Sequence, residues 1–214
     1  MMKQRRVRSP SASGAAAAVP APAGETTEDD RALGLAIRAA RLSRGRSLQR
    51  VAEAAGISVG LLSQIERGIS SPSVRALRAI CGALDVEVQA LFGGEDAASA
   101  EAPRHILRVH QRRRLNLGGK GLVKDFLTAG NSGALQIMEI VLAPGGSSGL
   151  EPYHHVGEEG GVVLAGALEL VIDGAVHRLG PGDAFCFEST LPHRFSNVAD
   201  GETRVLWITT PPVW

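Results

Sequence analysis

The stretch EPYHHVGEEGGVVLAG, residues 151–166, places two adjacent histidines close to two adjacent glutamates. Imidazole nitrogens and carboxylate oxygens together bind divalent transition metals. The same groups can also bind a small molecule in a pocket, or simply form a polar loop. Which of the three applies depends on the elements that position these side chains.

The alternation of side chains along a β-strand separates these four groups. Because successive residues point to opposite faces, Tyr153 and His155 are expected on one face and His154 on the other. If His155 points into a barrel, then His154 points to solvent. Glu158 lies on the opposite parity to Glu159 and is expected to be exposed. Parity therefore places His155 and Glu159 on one face and His154 and Glu158 on the other.

The second half of the chain, residues 104–214, has the pattern of an all-β domain. Apolar and β-branched residues recur with a period of two in LQIMEIVLAPGG, GGVVLAGALELVIDGAVHRLGPGDAFCFE and ETRVLWITTPP. Asp173 and Gly174 suit a tight turn between two alternating strands. Many short strands separated by turns are typical of a sandwich or a small barrel. A further candidate ligand, His193, follows a proline in STLPHRFSN.

Residues 30–92 have the pattern of short amphipathic helices. SLQRVAEAAG begins with Ser47 as an N-cap, SVGLLSQIERG begins with Ser58, and both end at a glycine that tolerates a left-handed turn. In SPSVRALRAICGALD, Ser71 is the expected cap and Pro72 the first helical residue. Two short helices joined by a tight glycine-containing turn are the minimum geometry of a helix-turn-helix. The helix that follows Ser58 would be the recognition helix.

The outward face of this recognition helix has chemistry suited to the major groove of DNA. It carries Ser58, Val59, Gly60, Ser63, Gln64 and Arg67, whereas Leu62 and Ile65 would pack inward. Gln64 can form paired hydrogen bonds with adenine, Arg67 can contact a guanine or a phosphate, and Val59 can touch a thymine methyl group. Ser58 and Gly60 allow the backbone to approach the DNA closely. An ordinary helical bundle with a polar face is the alternative interpretation.

The charge distribution separates two modules. Residues 31–92 contain nine arginines and four acidic residues, whereas residues 120–214 contain five basic and eleven acidic residues. A basic module joined to an acidic one suggests different partners, with an anionic one such as nucleic acid for the first. Between them, residues 93–103 are small, polar and end in proline, so they are expected to form a linker. Residues 1–29 are expected to form a disordered tail.

Other compositional features favour the cytoplasm. No run of about 18 apolar residues exists, so no transmembrane helix is predicted. The N-terminus is too weakly apolar for a secretion signal. Cys81 and Cys186 lie far apart and are expected to be buried, reduced thiols.

The helical half resembles the phage-repressor-like helix-turn-helix family, also called the Cro/C1 or XRE type. The resemblance is carried by VAEAAGIS, LSQIERG and SPSVRALRAICGAL. Leu48 departs from the pattern, because many relatives carry a phosphate-binding glutamine there. Gln49, Arg46 and Arg50 remain as candidates for phosphate contacts. A homodimer on a double-stranded operator is expected, because one recognition helix reads too few base pairs.

The β-rich half resembles the cupin superfamily of double-stranded β-helix barrels, which has two motifs. In G-x5-H-x-H-x3,4-E-x6-G, His155 matches the second histidine and Glu159 the glutamate. In G-x5-P-x-G-x2-H-x3-N, His193 and Asn197 match the last two positions. Tyr153 stands at the position of the first histidine, so the usual site of three histidines and one glutamate is incomplete. Tyr153 would be a fourth group, as a phenolate ligand or a hydrogen-bond partner.

The resemblance leaves two occupants open for this site. His155, Glu159 and His193 could hold Fe, Zn, Ni or Mn with positions free for an effector, or they could form a metal-free polar pocket for a small molecule. The fold class expected is α+β with two domains. An all-α helix-turn-helix domain covers residues 30–92, and an all-β cupin barrel covers residues 104–214.

A phage-repressor-like domain followed by a cupin resembles bacterial one-component regulators with a cupin sensor. The resemblance implies a sequence-specific DNA-binding transcriptional regulator, a repressor located in the cytoplasm at the nucleoid. Its barrel would bind a small molecule or metal and shift a dimer between two states. Two alternatives stay open: a metal-dependent cupin oxygenase or isomerase with a DNA-binding appendage, and a DNA-binding dimer whose barrel senses nothing.

Overall fold

The computed structural model describes residues 24–92, 105–128 and 133–214. The predicted linker, residues 93–103, lies outside these ranges, as do the first 23 residues of the predicted tail. The end of that tail is ordered, which corrects the prediction: the first helix begins at Glu28. Thr27 and Asp30 form a capping box, in which each side chain accepts the backbone N–H of the other. The helical domain therefore begins before residue 30.

The N-terminal domain consists of α1 (Glu28–Ser43), α2 (Leu48–Ala54), α3 (Val59–Glu66), α4 (Val74–Leu84) and a 3-10 helix, Val88–Leu91. Ser47 and Ser58 cap α2 and α3 as predicted. Gly56 and Gly68 have φ angles of 63° and 66°, so the predicted left-handed helix ends are confirmed. Within the described ranges, no helix combines the length and the apolarity needed to cross a membrane.

The predicted start of α4 is wrong. Ser73, and not Ser71, accepts the N–H of Ala76, and the helix begins at Val74. Ser71 is 5% exposed and its Cβ packs against Gly119 of the β domain. A tertiary contact that local pattern does not reveal thus keeps Ser71 and Pro72 in the extended connection.

The helices pack around one apolar core. Its most deeply buried members include Leu33, Ile37, Val51, Leu62, Ile65, Leu77 and Ile80. The α1 and α3 helices approach so closely that a Cβ on Gly34 would collide with the carbonyl oxygen of Ile65. Arg41 of α1 and Glu66 of α3 form a buried ion pair through two hydrogen bonds, of 2.7 and 2.9 Å. These contacts fix α3 on the rest of the domain.

In the C-terminal domain, the described residues form nine strands: β1 (Arg113–Leu117), β2 (Leu122–Phe126), β3 (Gln136–Leu142), β4 (Glu158–Ala165), β5 (Leu168–Ile172), β6 (Ala175–Leu179), β7 (Ala184–Glu188), β8 (His193–Asn197) and β9 (Thr203–Thr210). They form two antiparallel sheets with the orders β1-β2-β3-β9-β4-β7 and β6-β5-β8. Phe195 of the smaller sheet packs on Trp207 of the larger one, with ring centroids 4.9 Å apart. The interior between the sheets is therefore filled by large apolar side chains, which makes a cupin-type barrel.

Two local predictions in this domain have different outcomes. Asp173 and Gly174 join β5 to β6 with φ angles of 47° and 80°, so the predicted tight hairpin is confirmed. The prediction that both cysteines are buried is wrong, because Cys186 is exposed. Cys186 alternates along β7 with Phe185 and Phe187, whose rings lie on the opposite face, so strand parity turns the thiol outward.

The two domains are in direct contact through the first turns of α1 and α4. The N–H of Gly119 donates to the Asp30 carboxylate at 3.0 Å. Asp30 therefore caps its own helix, α1, and also contacts the barrel. The N–H of Val74 donates to the carbonyl oxygen of Ser148 at 2.9 Å. The barrel thus accepts an otherwise unpaired N–H at the start of α4, whereas the capping residue of α1 accepts an N–H from the barrel.

Candidate functional site

The predicted recognition face of α3 lies on the open side of the helical domain. Ser58, Val59, Gly60, Gln64 and Arg67 are exposed, Ser63 is half-buried, and Leu62 and Ile65 lie in the core. The Ser58 hydroxyl accepts the N–H of Leu61 at 3.1 Å. Arg67 Nε donates to the carbonyl oxygen of Ser63 at 3.2 Å. Both ends of the helix are therefore fixed while its polar face stays accessible.

The start of α2 keeps two of the three candidates for phosphate contacts exposed. Gln49 and Arg50 are exposed, whereas Leu48 packs against the core. Arg46 is half-buried, and its guanidinium donates to the carbonyl oxygen of Ala83 near the end of α4. Carbonyl groups at a helix C-terminus lack intrahelical partners and attract cations. Arg46 is therefore engaged in joining α2 to α4, a role that the sequence pattern does not reveal.

Three chain segments bring the predicted barrel residues together. Tyr153 and His193 exchange two backbone hydrogen bonds of 2.9 Å, which makes them direct neighbours. The N–H of His155 donates to the carbonyl oxygen of Ser189 at 2.9 Å. Glu159 is the second residue of β4 and His193 the first of β8. The segment before β4 is thus fixed along the start of β8.

His155, Glu159 and His193 form a compact, buried cluster. Nε2 of His155 lies 3.0 Å from Oε1 of Glu159, and Nε2 of His193 lies 3.3 Å from Oε2. The three residues are 9%, 2% and 0% exposed, and their ligand atoms all lie within 4.8 Å of one another. His154 and Glu158 are exposed, so the predicted alternation is confirmed.

Backbone acceptors orient both imidazole rings. Nδ1 of His155 lies 3.1 Å from the carbonyl oxygen of Val156, and Nδ1 of His193 lies 2.8 Å from that of Leu191. Because a carbonyl oxygen only accepts, each Nδ1 carries the hydrogen, and a neutral ring then presents its Nε2 lone pair to Glu159. A lone pair that faces a carboxylate is repelled by it unless a proton or a metal cation lies between the two atoms.

The unsatisfied atoms of the cluster fit a divalent metal. Oε2 of Glu159 and Nε2 of His193 are buried and have no hydrogen-bond partner among the described residues. Burial lowers the pKa of His193 and outweighs the opposing effect of the Glu159 charge. The lowered pKa favours the neutral imidazole, which is the form that binds a metal. An imidazole anchored through its other ring nitrogen by an acceptor is the usual arrangement of a metal-bound histidine.

Tyr153 lies directly beside this cluster. Its ring centroid is 4.2 Å from that of His193, and the two rings meet edge to face. Burial, with a smaller contribution from Glu159, raises the pKa of Tyr153 well above its ordinary value. A neutral phenol is thereby favoured, so of the two predicted roles the hydrogen-bond partner suits this environment better than the phenolate ligand.

Lys124 of β2 is a buried residue near the cluster that sequence reasoning missed. It is 2% exposed, and its Nζ lies 3.4 Å from the centroid of the Trp214 ring and 5.9 Å from that of Phe195. Burial lowers the pKa of Lys124 well below its ordinary value, while Glu159 opposes that shift. The signal that could have found it is parity, because Lys124 lies on the same face of β2 as the apolar Leu122 and Phe126.

Arg78 of α4 connects the helical domain with the same region. Its guanidinium carbon lies 5.5 Å from the Trp214 ring centroid, and Nη1 donates to the carbonyl oxygen of Val213 at 3.0 Å. Burial lowers the pKa of Arg78, whereas Tyr153 and Glu159 raise it. The barrel cluster therefore acts electrostatically on a side chain of the helix-turn-helix domain.

Comparisons with known proteins agree with this architecture. A sequence profile described as helix-turn-helix matches residues 37–91, and one described as cupin domain matches residues 138–209. The HTH-type transcriptional regulator PuuR of Escherichia coli (strain K12) is 27% identical over 172 residues, which are 80% of this chain and 90% of PuuR. The similarity to PuuR thus spans both domains.

Two further proteins extend the comparison. The HTH-type transcriptional regulator SinR of Bacillus licheniformis is 30% identical over 101 residues, which are 47% of this chain and 81% of SinR. A crystal structure of an HTH_3 family transcriptional regulator from Vibrio cholerae has a TM-score of 0.60 at 26% identity, and covers 86% of this chain and 97% of that chain. The chain therefore belongs to the XRE-type helix-turn-helix transcriptional regulators that carry a C-terminal cupin domain.

Proposed function

We propose that this regulator binds a palindromic operator as a homodimer through α3 and represses transcription at the nucleoid, in the cytoplasm. The observation that carries the proposal is the exposed face of α3 that includes Gln64 and ends at Arg67, in a chain whose relatives are named transcriptional regulators. One α3 helix reads few base pairs, whereas two of them about 34 to 36 Å apart read both halves of a palindrome on one face of the duplex.

The barrel is the sensing part in this proposal, and His155, Glu159 and His193 are its site. These residues would hold one divalent cation such as Fe, Zn, Ni or Mn. Such an ion, when bound, supplies a Lewis-acidic centre with positions open to an oxygen or nitrogen donor of an effector. Tyr153, which lies against His193, would orient that effector through its hydroxyl group.

Sensing is proposed in preference to turnover because of the connection between the domains. Arg78 belongs to α4 of the DNA-binding domain, yet its guanidinium donates to the carbonyl oxygen of Val213 in the C-terminal domain. The charge of Glu159 in the barrel also acts to raise the pKa of Arg78. A sensor needs such a contact, since the occupancy of one site must change the free energy of the other. An enzyme with an independent DNA-binding appendage does not need it.

The test uses the full chain and a random pool of double-stranded DNA. We expect selection of a palindrome whose half-sites lie about 10 base pairs apart, and an operator affinity that changes when the metal is removed with a chelator. Selection of DNA without a two-fold repeat would contradict the dimeric mode of binding. Equal operator affinity for the metal-loaded protein, the metal-free protein and Glu159→Gln would contradict sensing by the metal site.

A further inference from the structure

We propose that the smaller sheet of the barrel moves the helix-turn-helix domain through Ser148, which binds both β8 and the start of α4. The inference rests on the proposed sensing function and adds the route by which occupation of the barrel site reaches DNA binding. It is carried by the strands that hold Glu159 and His193, by the contacts of Ser148, and by attachments of the helical domain to the larger sheet.

The cluster in the barrel joins the two sheets. Glu159 lies on β4 of the larger sheet, and His193 lies on β8 of the smaller one. Nε2 of His193 and Oε2 of Glu159 are 3.3 Å apart, so a divalent cation that both atoms bind would tie β8 to β4. Occupation of the site would therefore restrain the smaller sheet relative to the larger one.

Ser148 attaches the same strand, β8, to α4. This residue is 1% exposed, and β8 lies at the edge of the smaller sheet. The N–H of Ser148 donates to the carbonyl oxygen of Phe195 at 3.0 Å, and its hydroxyl accepts the N–H of Phe195 at 3.1 Å. The carbonyl oxygen of Ser148 accepts the N–H of Val74, the first residue of α4, at 2.9 Å. One buried residue thus holds a strand of the barrel and a helix of the DNA-binding domain.

The packing beside Ser148 leaves little freedom between this loop and the helix. Gly149 has a φ angle of 121°, and a Cβ at this position would lie 2.6 Å from the Cβ of Ser73, which caps α4. Closely packed groups transmit a displacement because there is no void to absorb it. A shift of β8 should therefore move the start of α4.

The helical domain is attached to the larger sheet at other points. Nη1 of Arg78 donates to the carbonyl oxygen of Val213 at 3.0 Å, and the N–H of Val213 donates to Oε1 of Gln136 on β3 at 3.4 Å. The N–H of Gly119, between β1 and β2, donates to the Asp30 carboxylate of α1 at 3.0 Å. Because β1, β2 and β3 all belong to the larger sheet, these contacts form a pivot when the smaller sheet moves.

The spacing of the attachments along α4 converts such a shift into a tilt. Val74 and Arg78 lie one turn apart on the same face of the helix, yet they are attached to different sheets. Near the end of α4, the carbonyl oxygen of Ala83 accepts a hydrogen bond from Arg46, which precedes α2. A tilt of α4 would therefore move the start of α2. In the proposed dimer it would also change the distance between the two α3 helices, on which operator affinity depends.

Val74→Pro tests this attachment because it removes the N–H that Ser148 accepts. Proline is favoured at the first position of a helix, and Ser73 has φ and ψ angles of −69° and 163°, which suit the residue before a proline. Operator affinity of the full chain is measured with Zn²⁺ and after chelation. We expect Zn²⁺ to change the affinity at least about fivefold in the wild type and less than about twofold in Val74→Pro. Calorimetry should show that both proteins bind Zn²⁺ with similar affinity.

A second variant and a control accompany Val74→Pro. Ser148→Ala removes the hydroxyl that accepts from Phe195 on β8, so it should also reduce the effect of Zn²⁺ on operator affinity. Glu28→Pro places a proline at the first position of α1 and should keep the wild-type effect. Hydrogen exchange gives a readout without DNA: Zn²⁺ should change the exchange rates of the α4 amides in the wild type, but not in Val74→Pro.

The outcomes separate this route from sensing itself. A wild-type Zn²⁺ effect in both Val74→Pro and Ser148→Ala overturns the route and leaves sensing intact. Loss of the effect in Glu28→Pro as well would also overturn the assignment to Ser148. If Zn²⁺ does not change the operator affinity of the wild type, the proposed sensing falls, and hydrogen exchange decides the route: changed exchange in α4 supports it, and unchanged exchange overturns it.

Discussion

The Nε2 atom of His193 lies 3.3 Å from the Oε2 atom of Glu159 in the barrel, and neither has a hydrogen-bond partner among the described residues. The other nitrogen of His193 is engaged with the carbonyl oxygen of Leu191 at 2.8 Å. The ring is thus oriented by the backbone of its own turn, whereas the carboxylate comes from β4. The two atoms are brought together by the pairing of distant segments, and a bound cation would satisfy both of them.

Replacement of Glu159 by Gln should weaken metal binding. The substitution keeps the shape of the side chain but removes the negative charge that attracts a divalent cation, so the metal affinity should fall at least about tenfold. Elemental analysis of the purified proteins measures the metal content, and thermal unfolding measures its stabilising effect. Glu158→Gln is the matched control, since Glu158 is the exposed neighbour. Equal metal content in both variants would show that the cluster does not bind the ion.

Sequence patterns predicted the parts of this protein that depend on local periodicity. The exposed face around Gln64 follows from helical spacing, and the separation of His155 from His154 follows from strand alternation. Local patterns do not reveal the roles of Arg46, Ser71 and Lys124, because the partners of these residues lie far away in sequence. Their contacts are with Ala83, Gly119 and Trp214. Long-range docking decides their roles, and no single stretch of sequence contains that information.

Glu66→Gln should destabilise the helix-turn-helix domain strongly. The change leaves the buried guanidinium of Arg41 without its charged partner, and loss of one member of a buried ion pair costs about 3–5 kcal/mol. Urea unfolding followed by helical circular dichroism measures the difference. Glu28→Gln removes a partner from the exposed pair with Arg31 and should change the free energy of unfolding by less than about 1 kcal/mol. If Glu66→Gln and Glu28→Gln changed the free energy of unfolding by similar amounts, the structural role of the buried pair would be disproved.

Gly34→Ala should also destabilise the domain, even though alanine has the higher helix propensity. The added methyl group would collide with the backbone of Ile65, so α1 and α3 must move apart, at a cost of about 1–3 kcal/mol. Gly82→Ala adds the same methyl group where nothing lies within 4 Å, and it should stabilise α4 by up to about 1 kcal/mol. In thermal unfolding, the midpoint temperature should therefore fall for Gly34→Ala and rise for Gly82→Ala. A stabilised Gly34→Ala protein would mean that the helices pack less closely than described.

Gln64→Ala and Arg67→Ala should weaken operator binding in different ways. Loss of a base contact by Gln64 should relax sequence preference at one position of each half-site and cost about 1–3 kcal/mol. Arg67 lies at the C-terminal end of α3, and if it contacts a phosphate, its loss should reduce affinity for all sequences and lower the salt dependence of binding. Binding to operator variants at several salt concentrations distinguishes the two. Unchanged footprints for both variants would refute α3 as the recognition helix.

Gly60→Ala should separate stability from DNA binding. Gly60 lies in the first turn of α3, and the closest atom to an added Cβ is the Ser58 hydroxyl oxygen at 4.0 Å, so the folded protein accepts the methyl group and gains up to about 1 kcal/mol from helix propensity. In the proposed complex the same methyl group would occupy the space that the backbone needs for close approach to DNA, so operator affinity should fall. Gly82→Ala provides the comparison, because it brings a similar gain in stability away from the recognition face. If Gly60→Ala binds the operator as tightly as Gly82→Ala does, the start of α3 does not enter the groove.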